Sequence, residues 1–165
     1  MDSYLQTLRR IHAIEHATIH VLSRRFPQRM FVGRSDRNGF VIIGKASADE
    51  IHKAAEAALT RLRRGETSLA YHPNCGTNLV VTGLLVGTTS FLTTISFRET
   101  SWRRRLEQLP TVVLAATTAL VAARPIAALA QRHLTTNPDP GDLRIHDVEA
   151  VSFAGTAAYR VHVRA

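Results

Sequence analysis

Three histidines and a glutamate fall within nine residues near the N-terminus, in His12-Ala13-Ile14-Glu15-His16-Ala17-Thr18-Ile19-His20. On a helix they stand at i, i+3, i+4 and i+8, which places all four side chains along one stripe. A neutral imidazole offers a nitrogen lone pair to zinc, and two imidazoles one turn apart can hold one ion. Glu15 would then lie beside that ion as a ligand or as a general base. His-x-x-Glu-His is the inverted form of the zinc-protease motif. A single histidine on a helix face is more often an ordinary surface or core residue. Several titratable groups on one face are different, because they need a partner that compensates them.

A second cluster, His72-Pro73-Asn74-Cys75-Gly76-Thr77-Asn78, carries the only cysteine. Two residues separate His72 from Cys75, a spacing common among metal ligands in turns. Pro73 biases His72 toward an extended conformation, and Gly76 permits a sharp turn ahead of the next helix. Thr77 or Asn78 could cap that helix. A thiolate is a strong zinc ligand and favours zinc over magnesium or calcium. Alone, Cys75 would read as a buried thiol in a turn. Beside the first cluster it reads as half of one site.

The pattern His12-x-x-Glu15-His16-x-Thr18-Ile19, followed by His72-Pro73-x-Cys75-Gly76-Thr77 at the mouth of an apolar segment, resembles two related families. They are uncharacterised bacterial membrane proteins, sometimes described as predicted metal-dependent enzymes. The likeness covers roughly residues 8–90. It implies a membrane-associated metal site whose matching positions are His12, Glu15, His16, His72 and Cys75, and it brings no established reaction. His20 stands outside the pattern.

The elements that must position these residues can be read in order. A first helix over 3–25 carries an apolar stripe of Tyr4, Leu5, Leu8, Ile11, Ile19 and Leu22. Arg24-Arg25 lie at its C-terminal end, where the helix dipole favours cations, and Pro27 closes it. Two apolar runs, 31–35 and 40–44, flank Arg37-Asn38-Gly39 and read as a β-hairpin with an Asn-Gly turn signal. Ser47-Ala48-Asp49-Glu50 is a capping box opening a second helix over 47–64, with Ile51, Ala54, Ala55, Ala58, Leu59 and Leu62 on its apolar face. Gly65 stops it, and His52 reads as a surface residue. Residues 67–71 read as a short strand or extended entry to the second cluster.

From Leu79 to Phe97 no residue is charged, and with Asn78 this makes about twenty residues, enough to cross a hydrocarbon layer. Gly83 and Gly87 form a small-xxx-small pair that would admit another helix, including one from a second copy of the chain. Arg98 to Pro110 is a charged connector in which Trp102 stands beside Arg103-Arg104-Arg105, a pairing suited to the membrane–water boundary. A second apolar stretch, 111–130, is interrupted by Arg124-Pro125. There Arg124 could snorkel to the boundary or hold an anionic group. Residues 137–142 form a linker by composition. Two strands then follow around Gly155, 143–153 and 158–163, with His146 and His162 on the solvent face.

The chain has 21 basic and 13 acidic residues. Such an excess suits nucleic acid or an anionic membrane surface. The absence of a nucleic-acid motif and the scarcity of aromatics exclude the first and leave the lipid bilayer as partner. One cysteine excludes an internal disulfide framework. The N-terminal stretch lacks the apolar core of a signal peptide, which favours a cytoplasmic soluble part at the cell membrane. The four connector arginines taken alone argue for the opposite orientation.

The expected fold is α+β: a small antiparallel sheet with two helices and an inserted apolar helical hairpin. Residues 1–77 hold the metal-site motifs, 78–130 form the hairpin, and 131–165 supply a linker and a β-hairpin that completes the sheet. The expected function is a membrane-associated zinc protein, read as a metal-dependent hydrolase. His12, His16 and His72 would hold the ion, with Cys75 as a fourth ligand or nearby thiol and Glu15 as general base. A closed four-ligand shell would instead make the metal structural, and metal sensing is the third reading.

Overall fold

The computed structural model describes residues 4–97, 101–153 and 156–164. Arg98 of the connector and Gly155 between the last two strands lie outside the described residues. The chain is α+β and divides into two compact units, Met1–His72 with Arg132–Ala165, and Pro73–Gln131.

In the first unit, helix α1 spans Tyr4–Arg25, strands β1 and β2 span Val32–Asp36 and Gly39–Ile43, and helix α2 spans Ala48–Arg63. Strands β3 (Arg144–Phe153) and β4 (Thr156–Arg164) follow after the second unit. The four strands form one antiparallel sheet in the order β1-β2-β4-β3. The two ends of the chain are thus joined through the pairing of β2 with β4, Phe40 opposite Val161 and Ile42 opposite Tyr159.

The turn between β1 and β2 consists of Arg37 and Asn38, with Asp36 paired to Gly39. The Asn38 N–H donates to Asp36 Oδ1 at 2.9 Å. Gly39 is therefore the first residue of β2, at φ 144°. A Cβ there would stand 1.9 Å from the Val161 carbonyl oxygen, so this glycine is what lets β4 pair beside the turn. Asp36 also takes the guanidinium of Arg160 at 2.5 and 2.7 Å. The hydrogen bond from Arg160 holds the Asp36 carboxyl below the usual aspartate range.

Helix α2 begins as its sequence specifies. Ser47 Oγ accepts from the Glu50 N–H at 3.2 Å, and Glu50 Oε2 accepts from the Ser47 N–H at 2.8 Å. Ile51, Ala54, Ala55, Ala58, Leu59 and Leu62 are its buried residues. They pack with Ile11, Ile14 and Leu22 of α1 and with Phe40, Ile42, Val161 and Val163 of the sheet. Each fully buried Ile, Leu or Phe contributes about 1.5–3 kcal/mol. Tyr4 and Leu5, expected on that apolar face, are exposed instead. The apolar face of α1 starts at Ile11, because the first turn lies beyond the core.

Residues 67–71 are not a strand. Thr67–Ala70 forms a 3₁₀ turn with Leu69 and Ala70 buried. Arg61 fixes its start by bonding Glu66 Oε2 through Nε at 2.9 Å and a second guanidinium nitrogen at 2.5 Å. The Leu69 N–H donates to the Glu66 carbonyl at 3.1 Å. These local bonds replace the sheet partners that an extended segment would need.

In the second unit, helix α3 spans Gly76–Ser96, a short helix α4 spans Trp102–Glu107, and helix α5 spans Leu109–Ala130. Helices α3 and α5 pack against each other. The N-cap of α3 is Cys75 rather than Thr77 or Asn78, and the Asn78 amide instead donates to the Pro73 carbonyl at 2.7 Å. Helix α5 does not end at Pro125. It continues to Ala130 and passes into a π-helical turn over Gln131–Thr135.

Both long helices are long and apolar enough to cross a membrane, and α3 has no buried residue. Leu79, Val80, Leu84 and Phe91 of α3, with Leu114 and Val121 of α5, are all more than 60% exposed. Five of the hydroxyls within these helices are satisfied internally. Thr93, Thr94, Ser96, Thr117 and Thr118 each donate to the carbonyl four residues earlier at 2.8–2.9 Å. Threonine on these helices is thus compatible with hydrocarbon, where an unsatisfied polar group costs several kcal/mol. A Cβ at Gly83 or Gly87 would meet nothing within 4 Å, so the packing of α3 with α5 does not use that pair.

An apolar surface of this extent is unstable in water. The full chain is expected to stay with the membrane pellet through a carbonate wash. Release into the soluble fraction would show that the exposed leucines and valines are covered by protein instead.

Candidate metal centre

The site begins with the four-residue spacing of His12, His16 and His20, which stacks the three imidazoles along α1. The His12 and His16 ring centroids are 4.3 Å apart, and a nitrogen of one ring lies within 4.8 Å of a nitrogen of the other. His72, the last residue of the first unit, comes to the same stripe. Its ring centroid is 6.0 Å from that of His16 and 5.0 Å from that of His20. Two imidazoles bound to one tetrahedral zinc, with Zn–N about 2.0–2.1 Å, have centroids roughly 5 Å apart. The observed spacings bracket that value.

Each histidine of α1 has one ring nitrogen against a backbone carbonyl. His16 Nδ1 is 2.7 Å from the Ala70 oxygen, His20 Nε2 is 2.9 Å from the Tyr71 oxygen, and His12 Nδ1 is 3.0 Å from the Thr135 oxygen. A carbonyl only accepts, so in each case that ring nitrogen carries the hydrogen. In the neutral ring the other nitrogen then presents its lone pair: Nε2 of His12, Nε2 of His16 and Nδ1 of His20. Metal-binding histidines are oriented by such an N–H bond to an oxygen acceptor.

The acceptors are themselves held. Ala70 and Tyr71 close the 3₁₀ turn fastened by Arg61 and Glu66. Thr135 sits in a segment that Arg9 ties to α1. A guanidinium nitrogen of Arg9 donates to the carbonyls of His133 at 3.0 Å and Thr136 at 3.2 Å, and the Arg9 carbonyl accepts from the Asn137 N–H at 3.0 Å.

Glu15 was expected on the histidine stripe, but its carboxylate faces strand β1. At about 100° per residue it sits some 60° from His12, on the side away from His16 and His20. The Ser35 hydroxyl donates to Glu15 Oε2, and Glu15 is only 4% exposed. A Cβ at Gly33 would stand 2.4 Å from Glu15 Oε1 and 2.8 Å from its Cγ. Gly33 and Ser35 therefore form the pocket in which the carboxylate lies.

Cys75 is a buried cysteine outside any disulfide at the N-cap of α3, in the second unit. Two residues separate it from His72, so their Cα atoms are within about 11 Å by chain length alone. His146 and His162 take no part in the cluster. His162 Nε2 lies 2.9 Å from Glu149 Oε1 and His146 Nε2 lies 3.4 Å from an Arg164 nitrogen, both on the exposed side of the sheet.

Sequence reasoning left His20 without a role and did not find Gly33 or Ser35. Their alternation on one strand face was the available signal. The three carbonyl acceptors carried none, since every residue has a carbonyl.

A family described as a domain of unknown function (DUF6391) matches residues 7–148, a span that contains both histidine clusters. An uncharacterised protein of Picosynechococcus sp. (strain ATCC 27264 / PCC 7002 / PR-6) is 32% identical over 170 residues, covering 95% of this chain and 79% of that protein. No solved structure matches the chain.

The contact between Gly33 and Glu15 sets a direct test. Gly33→Ala should lower stability by about 1–3 kcal/mol, the usual cost of overpacking, and Glu15→Ala in the same chain should recover part of it. Thermal melting of the full chain in detergent measures both. Full stability in the Gly33→Ala single variant would mean that Glu15 leaves its pocket without cost.

Proposed function

The chain belongs to the DUF6391 family of unknown function, and we propose that it is a membrane-anchored metal-binding protein with a zinc-dependent hydrolase centre. The observation that carries the metal reading is the set of three imidazoles on one helix stripe, each fixed by a backbone carbonyl and each left with one lone pair. The proposed nitrogen ligands are His12, His16 and His72, with the Cys75 thiol beside the ion, either as a fourth ligand or as a nearby group that leaves a position open to water. This mixed nitrogen and sulfur donor set favours zinc.

A zinc ion bound there would polarise a water molecule. Glu15 is the proposed general base, held at Oε2 by the Ser35 hydroxyl and positioned by the helix one residue before His16. The two apolar helices support a location at a membrane. A thiolate ligand persists most readily on the reducing side, which supports a cytoplasmic soluble unit. The open faces of Gly83 and Gly87 leave room for the helix of a second copy.

One observation favours a second reading. Glu15 is buried and lodged against Gly33, as a structural carboxylate would be. If Cys75 also closes a four-ligand shell, the ion would be structural, pinning α1 to the start of the apolar hairpin.

Zinc stoichiometry and thermal stability of Glu15→Gln, measured beside His16→Ala, separate the two readings. A general base can be replaced by its amide with metal retained, while a hydrolytic rate falls by about 10²–10⁴. The catalytic reading expects zinc to be lost only from His16→Ala. If Glu15→Gln also weakens metal binding, by roughly 10–100-fold, Glu15 serves the ligands and is not the base.

A further inference from the structure

Beside the histidine cluster lies an open cavity of about 390 Å³ lined by Thr67, Ser68, Tyr71 and Arg132. It shares a residue with the cluster, because the Tyr71 carbonyl is the acceptor for His20 and His72 follows directly in the chain. We propose that this cavity is an oxyanion subsite, receiving the phosphoryl group of a phosphate-bearing substrate of the adjoining centre. The proposal rests on the metal-centre reading only for what happens to the substrate, not for its binding.

Arg132 sets the chemistry. The guanidinium lies over the Tyr71 ring, 5.3 Å from its centroid. Stacking restrains the plane of the guanidinium and leaves its edge N–H groups available. Other arginines of this unit are committed elsewhere: Arg160 to Asp36, Arg61 to Glu66, and Arg63 to the Leu143 carbonyl. Arg132 has no carboxylate partner among the described residues. The Thr67 and Ser68 hydroxyls line the same cavity, and neither makes a side-chain hydrogen bond to the protein among the described residues.

A planar fork of donors with two hydroxyl donors is a set for an anion with several acceptor oxygens. A tetrahedral phosphate offers the fork and the two hydroxyls acceptor oxygens in more directions than the two coplanar oxygens of a carboxylate. Arg132 is also two residues past the end of α5, and His72 four residues before the start of α3.

The test uses the full chain in neutral detergent, titrated calorimetrically with inorganic phosphate and, separately, with a soluble short-chain phosphatidic acid. Wild type should bind the phosphate probes. Arg132→Gln should weaken binding about tenfold or more, the scale of a lost charge-assisted bond, and Arg132→Lys should weaken it less. Thr67→Ala with Ser68→Ala should weaken it without removing Arg132. Tighter binding of phosphatidic acid than of phosphate would assign a lipid headgroup, and equal binding a soluble phosphate ester; either supports the subsite.

Failure of wild type to bind both probes, or equal affinity in wild type and Arg132→Gln with an unchanged melting temperature, would overturn it. Zinc content is measured on the same samples. Phosphate binding without zinc would defeat the metal centre and leave the subsite standing, and zinc without phosphate binding would do the reverse.

Discussion

An imidazole withdrawn from water must place its N–H on an acceptor, and in this protein three imidazoles on one helix, His16 buried and His12 and His20 half-buried, do so on backbone carbonyls that other segments supply. That requirement organises the first unit. His16 reaches Ala70, 54 residues away, and His12 reaches Thr135, 123 residues away. Neither acceptor can be in place until the chain has formed α2, the 3₁₀ turn and the segment after α5. An unmet buried polar group costs about 1–3 kcal/mol. The histidine stripe is therefore tolerable inside the fold only because these segments close on it. The same bonds decide the tautomers, so fold and ligand chemistry are settled by one set of contacts.

Glu15 obeys the same logic on the other side of the helix. Its carboxylate is buried against β1, where Gly33 makes room and Ser35 supplies a donor. The helix thus carries two polar functions on different faces. Histidines face the 3₁₀ turn and the Thr135 segment, and the carboxylate faces the sheet. The sheet is completed by β4 from the far end of the chain, so the surroundings of Glu15 depend on both termini. The hairpin can be inserted between these parts because β2 and β4 meet independently of it.

Much of the architecture was legible because its signals are local. The capping box at Ser47 and Glu50, the apolar face of α2 and the alternation of β4 all specify structure within a few residues. The two long apolar helices followed from length and the scarcity of charge, none in α3 and Arg124 alone in α5. The 3₁₀ turn at 67–70 was misread as extended because its stabilising contacts, Arg61 with Glu66, come from the preceding helix end. Pro125 lies inside α5 without ending it, since a single lost backbone bond does not end an otherwise apolar helix. At the site, residue types and spacing named the histidines, but the direction of Glu15 was lost. Helical spacing fixes angles about the axis and says nothing of which neighbour occupies each angle. Only the register of β1 brings Gly33 and Ser35 beneath that carboxylate.

The central claim is that the histidine stripe, with Cys75, is a zinc site. X-ray absorption of the purified, zinc-loaded full chain reads the ligand shell directly. The account predicts a four-coordinate mixed shell, with zinc–nitrogen distances of about 2.0–2.1 Å and one zinc–sulfur distance of about 2.3 Å. A protein that retains no zinc, or a shell of oxygen donors alone, would contradict it.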